Sequence, residues 1–155
     1  MATAQTQPQN SLEVRRTFAA PRERVFRAWT DAKELALWFH PTTDHTTIVT
    51  RLDLKVGGSY SVEMHHKGGG IHKISGTYQQ IKPPEKLAFT WSYANDPNSH
   101  ETLVKLDFID LGNNSTEVVI SHGQFLDVET RDKHNEGWNG CLEQLRAYLA
   151  TPATA

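Results

Sequence analysis

Apolar and polar residues alternate near the start of the chain. Leu12, Val14, Arg16 and Phe18 take turns with Glu13, Arg15 and Thr17. A period of two predicts a strand with one buried face. The period then changes. In APRERVFRAWTDAKELALWFHP, Val25, Phe26 and Trp29 recur at helical spacing. Pro21 suits a first helical turn, where a backbone N–H would have no partner anyway. Asp31 and Glu34 form a capping-box-like D-x-x-E, so a second short helix starts there. Leu35, Trp38 and Phe39 supply its apolar face, and Pro41 ends it.

From Thr46 to His122 the period is two again. Ile48, Leu52 and Leu54 mark a strand that runs to Gly57-Gly58. Tyr60, Val62, Met64 and His66 share one face of the next, with Glu63 and His65 on the other. Lys67-Gly68-Gly69-Gly70 reads as a hairpin turn. Ile74, Gly76 and Tyr78 lead to Pro83-Pro84, which is expected to break the sheet edge. Leu87, Phe89, Trp91 and Tyr93 alternate, DPNSH reads as a loop, and Thr102, Val104, Leu106 and Phe108 alternate after it. Gly112-Asn113-Asn114 turns the chain into a last strand with Val118, Ile120 and His122 on one face. Short strands joined by hairpin signals predict an antiparallel meander.

The segment HNEGWNGCLEQLRAYLA, His134 to Ala150, returns to helical spacing. Trp138, Cys141, Leu142, Leu145, Tyr148 and Leu149 form an apolar stripe. Asn139, Glu143, Gln144 and Arg146 take the other face. Gly137 and Gly140 fall in the first turns of this helix, beside Trp138. Each glycine in a helix interior costs about 1 kcal/mol relative to alanine, so the pair calls for a reason. The predicted order is one strand, two short helices, about six strands and one long helix. An α+β fold follows, a curved antiparallel sheet of about six or seven strands wrapped on the C-terminal helix.

Composition adds limits. A chain of 155 residues is most simply one domain. That domain is expected over residues 11–150, between polar tails at 1–10 and 151–155 that are expected to be disordered. The formal charge of -2 argues against a nucleic-acid partner. No apolar run reaches the roughly 20 residues of a membrane span. The N-terminal MATAQTQPQNS has no apolar core of a secretory signal, so a cytoplasmic location is expected. The one cysteine, Cys141, reads as a small buried hydrophobe. No phosphate-loop, dinucleotide, zinc-protease or serine-hydrolase motif occurs, so no cofactor is expected.

Several pieces stand in a recurring order: A-P-R-E-R-V-F-R-A-W-T-D (Ala20 to Asp31), L-W-F-H-P (Leu37 to Pro41), L-D-L-K-V-G-G-S-Y (Leu52 to Tyr60), G-T-Y-Q-Q-I-K-P-P-E-K-L (Gly76 to Leu87), T-L-V (Thr102 to Val104) and E-G-W (Glu136 to Trp138). As an ordered set, they closely resemble the homologues of the heat-shock protein 90 ATPase activator C-terminal domain, within the START-like superfamily. The resemblance spans roughly Leu12 to Leu149. It implies a helix-grip fold with a cavity between sheet and C-terminal helix, and a small hydrophobic ligand for many relatives. His40 departs from it, standing where the family pattern W-F-G-P has glycine.

Within that frame the candidate ligand-binding residues are Trp38, Phe39, Tyr60, Val62, Met64, Trp91, Leu106, Ile120, His122, Phe125, Trp138 and Leu142. The same aromatics would equally fill a core. Trp138 is either a cavity wall or a core residue whose flanking glycines relieve crowding. His122 shares the inner face with Val118 and Ile120, so it is either an acid–base or ligand-anchoring group or a hydrogen-bonded core histidine. His65, His66 and His72 flank the glycine hairpin, but alternation splits His65 from His66 and no third ligand is evident, so no metal is expected. The Asp96-Pro97-Asn98 loop is a candidate border of the cavity mouth.

Three functions follow as expectations. The first is binding of a small hydrophobic or aromatic ligand. The second is an enzyme of cyclase, hydratase or hydrolase type using His122. The third is a protein-interaction domain of co-chaperone type, the least favoured because the resemblance does not include the activator's separate N-terminal domain. A homodimer stays open, since apolar patches at sheet edges can pair.

Overall fold

The computed structural model describes residues 11–94 and 100–150. The tails expected at 1–10 and 151–155 lie outside them, as does the Asp96-Pro97-Asn98 loop. The elements are β1 (Leu12–Phe18), α1 (Arg22–Thr30), α2 (Ala32–Trp38), β2 (His45–Leu52), β3 (Ser59–His66), β4 (Ile71–Lys82), β5 (Lys86–Tyr93), β6 (Thr102–Gly112), β7 (Ser115–Gly123) and α3 (Val128–Ala150). The seven strands form one antiparallel sheet in the order β1-β7-β6-β5-β4-β3-β2. It is a meander with the first strand added beside the last, from Leu12 opposite His122 to Phe18 opposite Thr116.

The register slips at Val49/Arg51, Tyr78/Gln80 and Asp110/Gly112. Such irregularities bend a sheet and raise its local twist. The sheet curls as a half-barrel around α3, giving the expected helix-grip architecture. The inner faces of β6 and β7 meet the apolar stripe of α3 in a core that includes Leu106, Phe108, Ile120, Leu142 and Leu145. Among the described residues, no helix is long and apolar enough to cross a membrane.

Four local expectations need correction. First, α3 begins at Val128, well before His134. Asp127 caps it by accepting a hydrogen bond from the Thr130 N–H at 2.7 Å. Gly137 and Gly140 therefore lie inside the helix, not in its first turns. Second, β2 turns the opposite face inward. Thr47 is buried while Ile48 is 45% and Leu54 41% exposed, and the slip at Val49/Arg51 brings Leu52 back toward the core. Third, Pro83-Pro84 forms the turn between β4 and β5, which are interior strands; the edges are β1 and β2. Fourth, Pro21 precedes α1 in extended conformation, its carbonyl accepting from the Arg24 and Val25 N–H groups.

The Asp31 side chain does accept from the Glu34 N–H, at 3.3 Å. Glu34 gives no reciprocal bond. Its carboxylate accepts from Arg24, from Arg27 at 2.8 Å and from the Tyr148 hydroxyl at 2.8 Å, tying α1, α2 and α3 together. Burial works to raise the Glu34 pKa, yet the bonds from Tyr148 and Arg27 and the charge of Arg24 hold it below the usual carboxylate range. This stability is present above the unfolded carboxylate pKa and is lost as pH falls through the lower folded value. Glu34→Gln is expected to cost about 1–2 kcal/mol in urea titrations, less than a fully buried pair because Arg27 is largely exposed. An unchanged midpoint would show that the three helices are held by packing alone.

Candidate functional site

Between the curled sheet and α3 lies a cleft of about 520 Å³, open on one side. Alternation sets its sheet wall, with Met64 from β3, His72 and Ile74 from β4, and Trp91 and Tyr93 from β5. The α3 wall carries Lys133, His134, Gly137, Trp138 and Cys141, and Pro41 closes one end. The floor is apolar and the polar groups stand at the rim, the usual arrangement of a small-molecule site.

The two glycines beside Trp138 have different jobs. A Cβ on Gly140 would overlap the Pro41 carbonyl oxygen, so this glycine lets α3 approach the chain leaving α2. A Cβ on Gly137 would meet nothing within 4 Å. It faces the cleft, and the missing side chain leaves that space empty. Trp138 between them is 3% exposed. It is both a cleft wall and a core residue, with its ring centroid 5.2 Å from that of Trp91 and 6.0 Å from that of Trp29.

Of the residues proposed from sequence, Met64, Trp91 and Trp138 line this cleft. Trp38 does not; it is buried and donates its indole N–H to the Ala28 carbonyl at 2.9 Å. Phe39, Tyr60 and Val62 border a separate void of only about 20 Å³, and the Tyr60 hydroxyl is bonded to the Thr90 carbonyl. Leu106, Ile120 and Leu142 are core. Phe125 packs on His122, ring centroids 4.4 Å apart. The sequence reading did not assign His72, Ile74, Tyr93, Lys133 or His134 to the site. Tyr93 was legible, since it continues the inward face of Trp91.

His122 is fully buried and lies outside the lining. Trp138 Nε1–H donates to its Nδ1 at 3.0 Å. The Thr102 hydroxyl gives its hydrogen to the Trp91 carbonyl at 3.1 Å, so at its 2.7 Å contact it accepts from His122 Nε2–H. The bonds thus run in one direction from Trp138 to the Trp91 carbonyl and fix a neutral imidazole. Burial, aided by nearby His134, lowers its pKa to about 2. Both ring nitrogens are used inside the protein, as in a hydrogen-bonded core histidine.

A second histidine does reach the cleft. His134 Nδ1–H donates to the Thr130 carbonyl at 2.8 Å, which leaves Nε2 to accept from the Tyr93 hydroxyl at 2.8 Å. Burial lowers the His134 pKa, with the Thr130 bond opposing and the charge of His72 adding to the fall. Burial raises that of Tyr93 and also that of the Cys141 thiol.

The hairpin histidines diverge. His65 bonds Glu63 at 2.9 Å, His66 accepts from the Gly68 N–H at 3.0 Å, and His72 stands at the cleft rim. Among the described residues, no group of three His, Cys, Asp or Glu side chains is placed to hold a metal ion. His40 lies outside the lining; its Nδ1–H donates to Thr47 Oγ1 at 3.2 Å, since that hydroxyl donates to the Phe39 carbonyl.

Comparison with known proteins agrees with this architecture. The family model described as Activator of Hsp90 ATPase homolog 1-like protein matches residues 19–150. Protein CV1439 from Chromobacterium violaceum is similar at 26% identity and a TM-score of 0.83, over 92% of this chain and 99% of that one. The AHSA1 protein from Silicibacter pomeroyi is similar at 27% identity and a TM-score of 0.78, over 90% and 97%. Protein Ms6760 from Mycobacterium smegmatis, at 20% identity and a TM-score of 0.77 over 91% of each chain, shares the fold. No curated protein matches the sequence.

Proposed function

The chain belongs to the family of Activator of Hsp90 ATPase homolog 1-like proteins, and on that premise we propose that it binds a small hydrophobic or aromatic molecule in the cleft between β3–β5 and α3. The carrying observation is the cleft itself. Its volume of about 520 Å³ lies within the usual range of ligand pockets, and Met64, Ile74, Trp91 and Trp138 give it an apolar floor. Gly137 supports the reading, because a helix interior tolerates glycine at a cost and here the empty position faces the cleft.

A screen of small apolar and aromatic compounds by thermal shift and tryptophan fluorescence tests this. A binder at a hundred times its dissociation constant should add about 2.7 kcal/mol of stability, and Trp91 and Trp138 should report it by quenching. Gly137→Leu, which fills the empty position, is expected to abolish the response without lowering the melting temperature. A broad library with no binder, or a hit unaffected by Gly137→Leu, would refute the cleft as the site.

An enzymatic reading rests on the Tyr93–His134 pair rather than on His122, because among the described residues that pair combines an acid–base couple with access to the cleft. Turnover that survives loss of His134 would remove it. Stimulation of a heat-shock protein 90 ATPase is carried by the family description alone, and a direct ATPase assay decides it.

A further inference from the structure

The cleft has a polarity as well as a shape. Its apolar floor runs from Met64 and Ile74 to the two tryptophans, while Lys133, His72 and His134 stand at the rim, and no carboxylate is among its lining residues. Lys133 makes no ion pair among the described residues. The carboxylate whose charge it influences is Asp127, which is engaged as the cap of α3, accepting from the Thr130 N–H. A cation at the mouth of a low-dielectric cleft, with no acid beside it in the lining, favours a ligand of opposite charge. Indole faces favour a flat body between sheet and helix.

We propose that the ligand is a small aromatic anion, an aryl or arylalkyl carboxylate, with its ring on the floor formed by Met64, Ile74, Trp91 and Trp138 and its carboxylate at the rim on Lys133 and His72. This rests on the reading of the cleft as the ligand site, and it adds what that reading leaves open, the charge and orientation of the ligand. Lys133 acts as a point charge with rotatable donors, so it recognises a carboxylate without demanding one geometry.

Three probes of nearly equal shape separate the possibilities: cinnamate, its neutral amide cinnamamide, and the cation cinnamylamine. Each is titrated against tryptophan fluorescence at low and high salt. Cinnamate is expected to bind about tenfold more tightly than cinnamamide at low salt, and that advantage should shrink as salt screens the rim charge. Lys133→Gln is expected to bring the ratio of the two affinities close to one. Lys133→Glu should reverse the order of cinnamate and cinnamylamine. Because Lys133 is exposed on α3, an unchanged melting temperature confirms that both variants are folded. Equal affinities for the three probes would overturn the charge preference and leave the cleft reading intact. A preference that persists in Lys133→Gln would overturn the role of Lys133. Failure of all three to bind, in a chain that also binds nothing from the broader library, would defeat the cleft reading itself.

Discussion

Gly140→Ala is expected to lower stability by about 2–3 kcal/mol, and Gly137→Ala to raise it by about 0.5–1 kcal/mol, although both are glycine-to-alanine changes in one helix. Both variants gain the same helical propensity and lose the same unfolded-state entropy. Their surroundings decide the sign. At position 140 the new methyl overlaps the Pro41 carbonyl oxygen, a backbone atom that cannot rotate aside, with Pro41 Cα only 3.1 Å away. Relief requires α3 to move off the end of α2, which would disturb the packing of Trp138, Cys141 and their neighbours. At position 137 the methyl meets nothing within 4 Å, so propensity acts unopposed. For a domain of this size the first change should lower the melting temperature by about 5–10 °C and the second raise it by a few degrees. Equal shifts of one sign would mean that helix and loop do not approach as closely as described. The stabilised variant should bind ligand less well, since its methyl enters the cleft.

The second large effect concerns His122. His122→Ala is expected to cost about 3–5 kcal/mol, combining a cavity with the loss of the bond that the Trp138 indole N–H donates. The wild-type protein should also become less stable in mild acid. The folded pKa lies near 2 and the unfolded value near 6.5, so between those limits the unfolded chain takes up a proton that the folded chain refuses. Stability is complete above about pH 6.5 and falls by about 1.4 kcal/mol for each pH unit below it, per histidine held neutral. His134 and His40, both shifted downward by burial, add to the slope. Urea midpoints from pH 7 to pH 4 measure it (acid end about pH 4). The His122→Ala variant should show a slope smaller by about one proton. The same slope in both proteins would place the acid sensitivity elsewhere.

Much of the fold was legible from periodicity because the inner faces of β1, β3, β5, β6 and β7 alternate cleanly. Trp138 to Leu149 likewise marks the second half of α3. What escaped has physical causes. The first half of α3, VETRDKHNEG, has no apolar stripe, since its inward residues form a polar cleft wall rather than core; the cap at Asp127 was the available signal. The face of β2 was inverted because one extra residue near Thr50 resets the alternation. For the site, alternation tells which side chains point inward but not where they cease to fill space. Tyr60, Leu106 and Trp91 are alike in pattern, yet of the three only Trp91 borders the cleft. The asymmetry between Gly137 and Gly140 depends on Pro41, which is distant in sequence.

The pairing of β1 with β7 sets an order of events during synthesis. Strand β1 finds its partner β7 only after roughly a hundred further residues have been made. Hairpins β2 to β6 can form as they emerge, each from neighbours in sequence, whereas Leu12 to Phe18 waits as an unpaired amphipathic strand. Such non-local closure is slow, and a waiting edge is open to the wrong strand. Edge charges disfavour pairing with a wrong strand, and Glu13, Arg15 and Arg16 lie along this segment; by that rule they are expected to guard β1 before the last hairpin forms as well as afterwards, when β1 is still an edge of the sheet.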